Sequence, residues 1–142
     1  DQSSAASDVY KRQILEDESL SERIKLLGFV DNVPDLLDKS DICVFTSLYE
    51  ASPTSIWEAM AAGKAIVTTD VGSVNDYIED GESGFIVSAD DHDQLLERTE
   101  KLINDKALRV KLGNNAREVA HKRLNISSAA SKHASIYRKV SN

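Results

Sequence analysis

The chain reads as an α/β domain built on a doubly wound parallel sheet, and three observations predict this. Short runs that are apolar without a break, residues 42–46 and 65–69, alternate with helix-forming stretches. Unbroken apolar character is what a strand needs when helices cover both faces of its sheet. The 142 residues are the size of one domain, and a 41% hydrophobic content is enough to pack a core at that length.

Each element has a local reason. Residues 8–20 form a helix, with Val9, Ile14 and Leu15 as its apolar content. Residues 24–27 are a short strand ending at Gly28. A helix starts at Asn32 or Val33 with Pro34 in its first turn, and Leu36 and Leu37 face inward. Residues 42–46 are the first buried strand. Ser52 is positioned as an N-cap with Pro53 as the first helical residue, and the helix runs to Ala62 and stops at Gly63. Residues 65–69 are the next buried strand. Residues 73–78 form a short helix closed by an Asp80-Gly81 turn, and 85–87 a short strand. Three helical faces follow: Leu95, Leu96, Thr99, Leu102 and Ile103; then Leu108, Leu112, Ala116, Val119 and Ala120; then Ile126, Ala129, Ala130, Tyr137 and Val140. Gly113 interrupts the second and is expected to weaken it. Parallel sheets bind ligands at the carboxyl ends of their strands, so the loops after Leu27, Phe45 and Thr69 are expected to line one cleft.

Charge and cysteine content narrow the function classes. Residues 1–105 hold 8 basic and 23 acidic residues, a balance of −15; residues 106–142 hold 9 basic residues and one acid, a balance of +8. The acidic body argues against general nucleic-acid binding. The basic 106–142 tail complements that body, docks on another domain, or approaches an anionic membrane surface. The single Cys43 sits within a strand and excludes an intrachain disulfide. No apolar run reaches the length of a membrane span and the first residues lack a signal-peptide core, so a cytoplasmic location is expected, peripheral to a membrane if the tail makes that contact.

The segment 47–63 carries the chemistry. Seven residues separate Glu50 from Glu58. Glu50 precedes the helix and Glu58 lies in its second turn, among Ile56, Trp57, Ala59 and Met60. Such apolar company implies burial, which is costly for a carboxylate without a polar partner. The helix start leaves N–H groups at Thr54, Ser55 and Ile56 for a phosphate or sugar oxygen. Singly, each feature has an ordinary reading: a solvated loop acid, a helix-edge acid, a helix cap. Together they describe a cradle for a nucleotide sugar. Asp91-His92-Asp93 spells a triplet some enzymes use to bind metal, but here it opens a helix, where acids favour the positive dipole end. His92, His121 and His133 are scattered, so no metal site is expected.

Glu50 and Glu58 with Pro53 between them, followed by Ala59-Met60-Ala61-Ala62-Gly63, resemble the E-x7-E signature of family 4 glycosyltransferases, retaining enzymes of the GT-B fold. Leu27-Gly28-Phe29-Val30, Val33-Pro34-Asp35-Leu36-Leu37, Ser40-Asp41-Ile42-Cys43-Val44-Phe45 and Asp80-Gly81-Glu82-Ser83-Gly84-Phe85 are similar to that family's flanking segments. The resemblance runs from about residue 24 to 113. It implies that Glu58 holds the ribose hydroxyls of a nucleotide-diphospho-sugar. Glu50 contacts the sugar near the reacting carbon, as the catalytic carboxylate. The N–H groups of Ala51 and Ser52 meet sugar hydroxyls, those of Ser55 and Ile56 a phosphate, and Phe29 and Val30 flank the base. No metal or other cofactor is needed. It further implies a truncated C-terminal donor domain, with the acceptor-binding N-terminal domain absent, and an isolated chain that transfers no sugar. The sequence departs from the family pattern at Ala51, where glycine is usual, and at Ala65, where proline is usual. Two alternatives stay open: a nucleotide-sugar epimerase of the same fold, and a non-catalytic α/β binding module.

Overall fold

The computed structural model describes residues 16–124, which fall into two compact units, one up to residue 33 and one from residue 34. The expected third helical face, around Ile126 to Val140, lies outside the described residues, as do residues 8–15 of the expected first helix.

In the first unit, α1 spans Glu18–Ser21. Glu16 is helical as the sequence suggests, but Asp17 interrupts the helix there and caps α1. The Asp17 carboxylate accepts from the Ser19 N–H at 2.9 Å and from the Ser19 hydroxyl at 2.6 Å, the local competition that drives short polar side chains to helix ends. Those hydrogen bonds, the hydroxyl's first, hold the Asp17 carboxyl below its ordinary value. The strand expected at 24–27 does not form. This stretch has no ladder partner among the described residues, and a strand exists only through paired N–H and C=O groups. Helix α2, Val33–Asp38, joins the two units and carries Pro34 in its first turn as anticipated. Only half of its expected face is used: Leu37 packs on the second unit's core, whereas Leu36 is exposed.

The second unit is a parallel three-stranded sheet in the order β1 (Ile42–Phe45), β2 (Ala65–Thr69), β3 (Phe85–Val87). Ile42 stands opposite Ala65, and Val67 opposite Phe85. Helix α3, Thr54–Ala61, makes the crossover between β1 and β2. A 3₁₀ turn at Val74–Asp76 follows β2, and α4 (His92–Asn104) and α5 (Lys106–Arg123) follow β3. The parallel α/β architecture is the one expected.

All five residues of β2 are buried, as the central strand of a covered sheet should be. Its alternation divides the core. Ile66 joins Ile56, Ala59 and Met60 of α3 with Ala116 and Ala120 of α5. Ala65 and Val67 join Phe85 and Val87 of β3 with Leu102 of α4 and Leu112 of α5. Each fully buried side chain of the size of Ile56 or Met60 stabilises the fold by about 1.5–3 kcal/mol. The edge strand β1 is less covered than its sequence implies, because Val44 is 43% exposed. Likewise Leu96 and Ile103, expected on the buried face of α4, are exposed while Leu102 is fully buried.

Helix α5 contributes to both halves of the core, which requires it to cross close beneath the amino end of β2. Gly113 makes that crossing possible. A Cβ on it would sit 2.2 Å from the Gly63 carbonyl oxygen. The glycine expected to weaken α5 is therefore the point at which the helix touches backbone.

Candidate functional site

The carboxyl ends of β1 and β2 release two loops, and side chains and backbone knit them into one rim. Thr69, the last residue of β2, donates its hydroxyl to the Ser47 carbonyl at 2.6 Å. Gly72 has φ +53°, and a Cβ there would lie 2.3 Å from the Glu50 carbonyl oxygen and 2.7 Å from that of Ala51. Only glycine fits this position, both for its left-handed backbone and for the absence of a side chain. Of the three loops expected to line one cleft, those after Phe45 and Thr69 share one edge, while the loop after Leu27 belongs to the first unit. Phe29 and Val30 belong to the first unit, where Phe29 is 91% exposed.

Glu50 is half-buried in this rim, and the Ser47 hydroxyl donates to its Oε1 at 3.4 Å. Its other carboxylate oxygen takes no hydrogen bond among the described residues. Ala51 and Ser52 follow, both exposed, before the chain turns into α3 at Pro53.

The helix start differs from the sequence reading in two ways. Pro53, at φ −77° and ψ 90°, is itself the N-cap residue, and α3 has no side-chain cap. Ser52 does not cap the helix; its Oγ accepts from the Trp57 indole N–H at 3.5 Å. The Pro53 carbonyl accepts the Ile56 N–H at 3.1 Å and the Trp57 N–H at 3.4 Å. Ile56 therefore has no free N–H to offer, because the first turn closes on Pro53. The Thr54 and Ser55 N–H groups donate to no backbone carbonyl among the described residues. By contrast, α4 and α5 are capped by Asp91 and Asp105, which accept from Gln94 and Leu108 N–H, each at 2.9 Å. Asp91 in the Asp91-His92-Asp93 triplet is thus a helix cap. Among the described residues no group of three or more His, Cys, Asp and Glu is disposed to hold a metal ion.

Glu58 lies in the second turn of α3 but is exposed, not buried. Its apolar sequence neighbours are not its neighbours in space. Ile56, Ala59 and Met60 point into the core, and at about 100° per residue Glu58 stands on the opposite side of the helix from Ile56. It is about 6 Å along the axis from Thr54 at 1.5 Å per residue. An exposed carboxylate near an uncapped helix start is free to accept from a ligand.

The basic residues of α5 within the described range largely serve the body of the domain. Arg117 donates to the Ala62 carbonyl at 2.8 Å, Arg109 to those of Leu102 and Ile103 at 2.6 and 2.8 Å, and Lys111 pairs with Glu82 at 3.0 Å. Of these, only Lys111 meets an acid of the body; the rest of the basic tail, beyond residue 124, lies outside the described residues. Arg123 donates to the Asp76 carbonyl and lies over the Tyr77 ring, which packs on Trp57. Sequence reasoning missed this run of contacts, and it missed Gly72; no pattern at 57, 72, 77 and 123 announces that they converge.

The fold has counterparts in known proteins. A family described as "Glycosyl transferases group 1" matches residues 6–119. Alpha-D-kanosaminyltransferase of Streptomyces kanamyceticus is 29% identical over 123 residues, covering 85% of this chain and 32% of that protein. The C-terminal domain of the glycosyl transferase group 1 family protein LpcC from Francisella tularensis superposes with a TM-score of 0.75 at 27% identity, covering 84% of this chain and 64% of that one. HepE from Anabaena, solved in complex with UDP and glucose, superposes with a TM-score of 0.84 at 25% identity, covering 95% of this chain and 38% of that one. The chain spans about a third of the length of the curated relatives it matches. A three-stranded parallel sheet of GT-B type, matched by a family profile over most of its length, leaves one assignment: the chain belongs to the glycosyl transferases group 1 family.

Proposed function

We propose that this chain is the donor-binding domain of a retaining glycosyltransferase, which moves a hexosyl-type sugar from a nucleoside diphosphate to a glycan, lipid or other acceptor. The observation that carries the proposal is the rim itself. Glu50, with an open carboxylate oxygen, stands on a loop at the carboxyl edge of a parallel sheet, and the unengaged N–H groups of Thr54 and Ser55 open the helix that follows it. The complex of HepE with UDP and glucose supports a nucleotide sugar as the ligand, and the likeness to the LpcC C-terminal domain supports the donor side of a two-domain enzyme. The acceptor-binding domain would lie elsewhere in the parent protein.

In this reading the bond between the sugar's anomeric carbon and the diphosphate oxygen breaks with its electron pair leaving on the diphosphate, the acceptor hydroxyl oxygen bonds to the same face of that carbon, and the hydroxyl proton passes to the departing phosphate oxygen. Glu50 orients the sugar and stabilises positive charge developing on its ring. The leaving diphosphate meets the Thr54 and Ser55 N–H groups and the positive end of α3, equivalent to about half an elementary charge. Ile56 is removed from the phosphate-binding set, because its N–H is taken by Pro53. Ala51 and Ser52 N–H groups meet sugar hydroxyls, and Glu58 accepts from the ribose hydroxyls. The helix start together with basic side chains of the parent protein takes the diphosphate charge, so transfer is metal-independent. No helix among the described residues is long and apolar enough to cross a membrane. A cytoplasmic enzyme touching a membrane surface would use the basic residues beyond 124, Lys132, Arg138 and Lys139.

The test is calorimetric titration of the full-length parent with UDP, GDP, ADP and their sugar conjugates, with and without EDTA, alongside turnover assays. Glu58→Ala should weaken nucleotide binding about tenfold or more. Glu50→Ala should leave nucleotide affinity nearly unchanged and reduce turnover about a hundredfold or more. Unchanged affinity in Glu58→Ala, or undiminished turnover in Glu50→Ala, would remove the basis for the assignment.

A further inference from the structure

The Ser52 hydroxyl is not spent on its own helix. Pro53 occupies the cap position and no side chain caps α3. Ser52 Oγ instead accepts from Trp57 Nε1 at 3.5 Å, five residues on. Trp57 is held from behind. Its ring lies 4.8 Å from that of Tyr77, with the planes at 58°, a tilted arrangement that aromatic quadrupoles favour. The Arg123 guanidinium stands 5.0 Å from the Tyr77 ring centroid and donates to the Asp76 carbonyl, so a cation–π contact and a charge-assisted hydrogen bond pin the far end. One run of contacts therefore joins the last turn of α5 to the loop that precedes α3.

The chemistry of this run is directional. An indole N–H only donates, whereas a hydroxyl accepts and donates. With one Ser52 lone pair engaged by Trp57, the Ser52 O–H is left to donate to a partner other than the indole, and Ser52 is exposed. This donor stands two residues from Glu50 on the rim, where a sugar hydroxyl or phosphate oxygen would accept it. A phenylalanine at 57 would pack on Tyr77 equally well and supply no N–H.

We infer that Trp57 is a positioning residue that presents the Ser52 hydroxyl as a hydrogen-bond donor to the bound nucleotide sugar, with Tyr77 and Arg123 bracing the indole. The inference rests on the donor-site reading above, and adds to it a side-chain contact with the ligand and the residue that orients it.

The test is a double-mutant cycle in the full-length parent with Trp57→Phe, Ser52→Ala and the pair together. Affinity is measured calorimetrically for UDP-glucose, UDP-N-acetylglucosamine and GDP-mannose, with KM, kcat and melting temperature measured alongside. Each single variant should raise the Kd and KM of the sugar the wild type binds best by about three- to tenfold, the worth of one hydrogen bond, with kcat within about twofold. The double variant should be no worse than either single one, since both remove the same contact. Losses that multiply in the double variant, or a Ser52→Ala protein with wild-type affinity, would overturn the positioning role while leaving the donor site standing. A wild type that binds none of UDP, GDP, ADP and their sugar conjugates would overturn both.

Discussion

Replacing Gly113 with alanine separates the helix-propensity view of this residue from the packing view, because the two predict opposite signs. Glycine in the middle of a helix is about 0.8–1 kcal/mol worse than alanine, so on propensity alone Gly113→Ala stabilises α5. The structure places the new Cβ 2.2 Å from the Gly63 carbonyl oxygen, 3.0 Å from its carbon and 3.4 Å from the Lys64 carbonyl carbon. These are backbone atoms at the end of α3 and the start of β2, so no flexible side chain can swing aside. Gly63 is itself held at φ +69° and donates its N–H to the Met60 carbonyl at 2.9 Å. Overpacking of this kind costs about 1–3 kcal/mol, and a 2.2 Å approach belongs at the upper end. Subtracting the propensity gain leaves a net loss of about 2 kcal/mol. That corresponds to a fall in melting temperature of roughly 6–10 °C for a domain of this size. Urea and thermal melts followed by circular dichroism, with the exposed neighbour Asn114→Ala as control, give the answer. Asn114→Ala should be neutral or slightly stabilising. A Gly113→Ala protein as stable as wild type, or more so, would refute the argument that α5 meets the α3–β2 junction through bare backbone.

Gly72→Ala and Gly81→Ala both place alanine at positive φ, +53° and +78°, but only Gly72 has atoms close by, the Glu50 carbonyl at 2.3 Å among them. Gly81→Ala should show only the backbone cost of about 1–2 kcal/mol, whereas Gly72→Ala should destabilise further and lose nucleotide affinity by calorimetry; equal effects would contradict a rim sealed by Gly72. Burial pushes the Cys43 thiol above its ordinary value of 9.0, outweighing the opposing charge of Lys64. The native protein therefore keeps a proton that the unfolded chain releases near 9, so this contribution to stability is present below that pH and fades as pH rises through the higher native value. Iodoacetamide should alkylate Cys43 more slowly at pH 8.5 in the native protein than in urea, and equal rates would show that the thiol is not shielded.

The elements most legible in the sequence were those whose signal is local. The unbroken apolar run at β2, glycine at the close of α3 and the Asp80-Gly81 turn each act over a few residues, and each stands where expected. The position of Glu50, in a loop at the carboxyl edge of the sheet, followed from the order of strands and helices alone. The departures lie where contacts between distant segments decide the outcome. Glu58 seemed buried because its neighbours are apolar, but helical rotation turns it outward while Ile56 and Met60 turn in. Ser52 looked like a cap, yet the turn closed on the Pro53 carbonyl and Ser52 passed to Trp57. Residues 24–27 have a strand's composition without a strand's partner.

What the sequence determined by itself was therefore the kind of fold and the loop that carries the candidate chemistry, since apolar period, turn residues and strand order are properties of short segments read one after another. What only the tertiary structure decided was how those segments meet. Gly113 against Gly63, Gly72 against Glu50, and Arg123 over Tyr77 behind Trp57 pair residues that lie tens of positions apart in the chain. Such contacts arise from close packing of whole elements, which tolerates no side chain at one crossing and demands a flat ring at another, and packing is a property of the assembled domain.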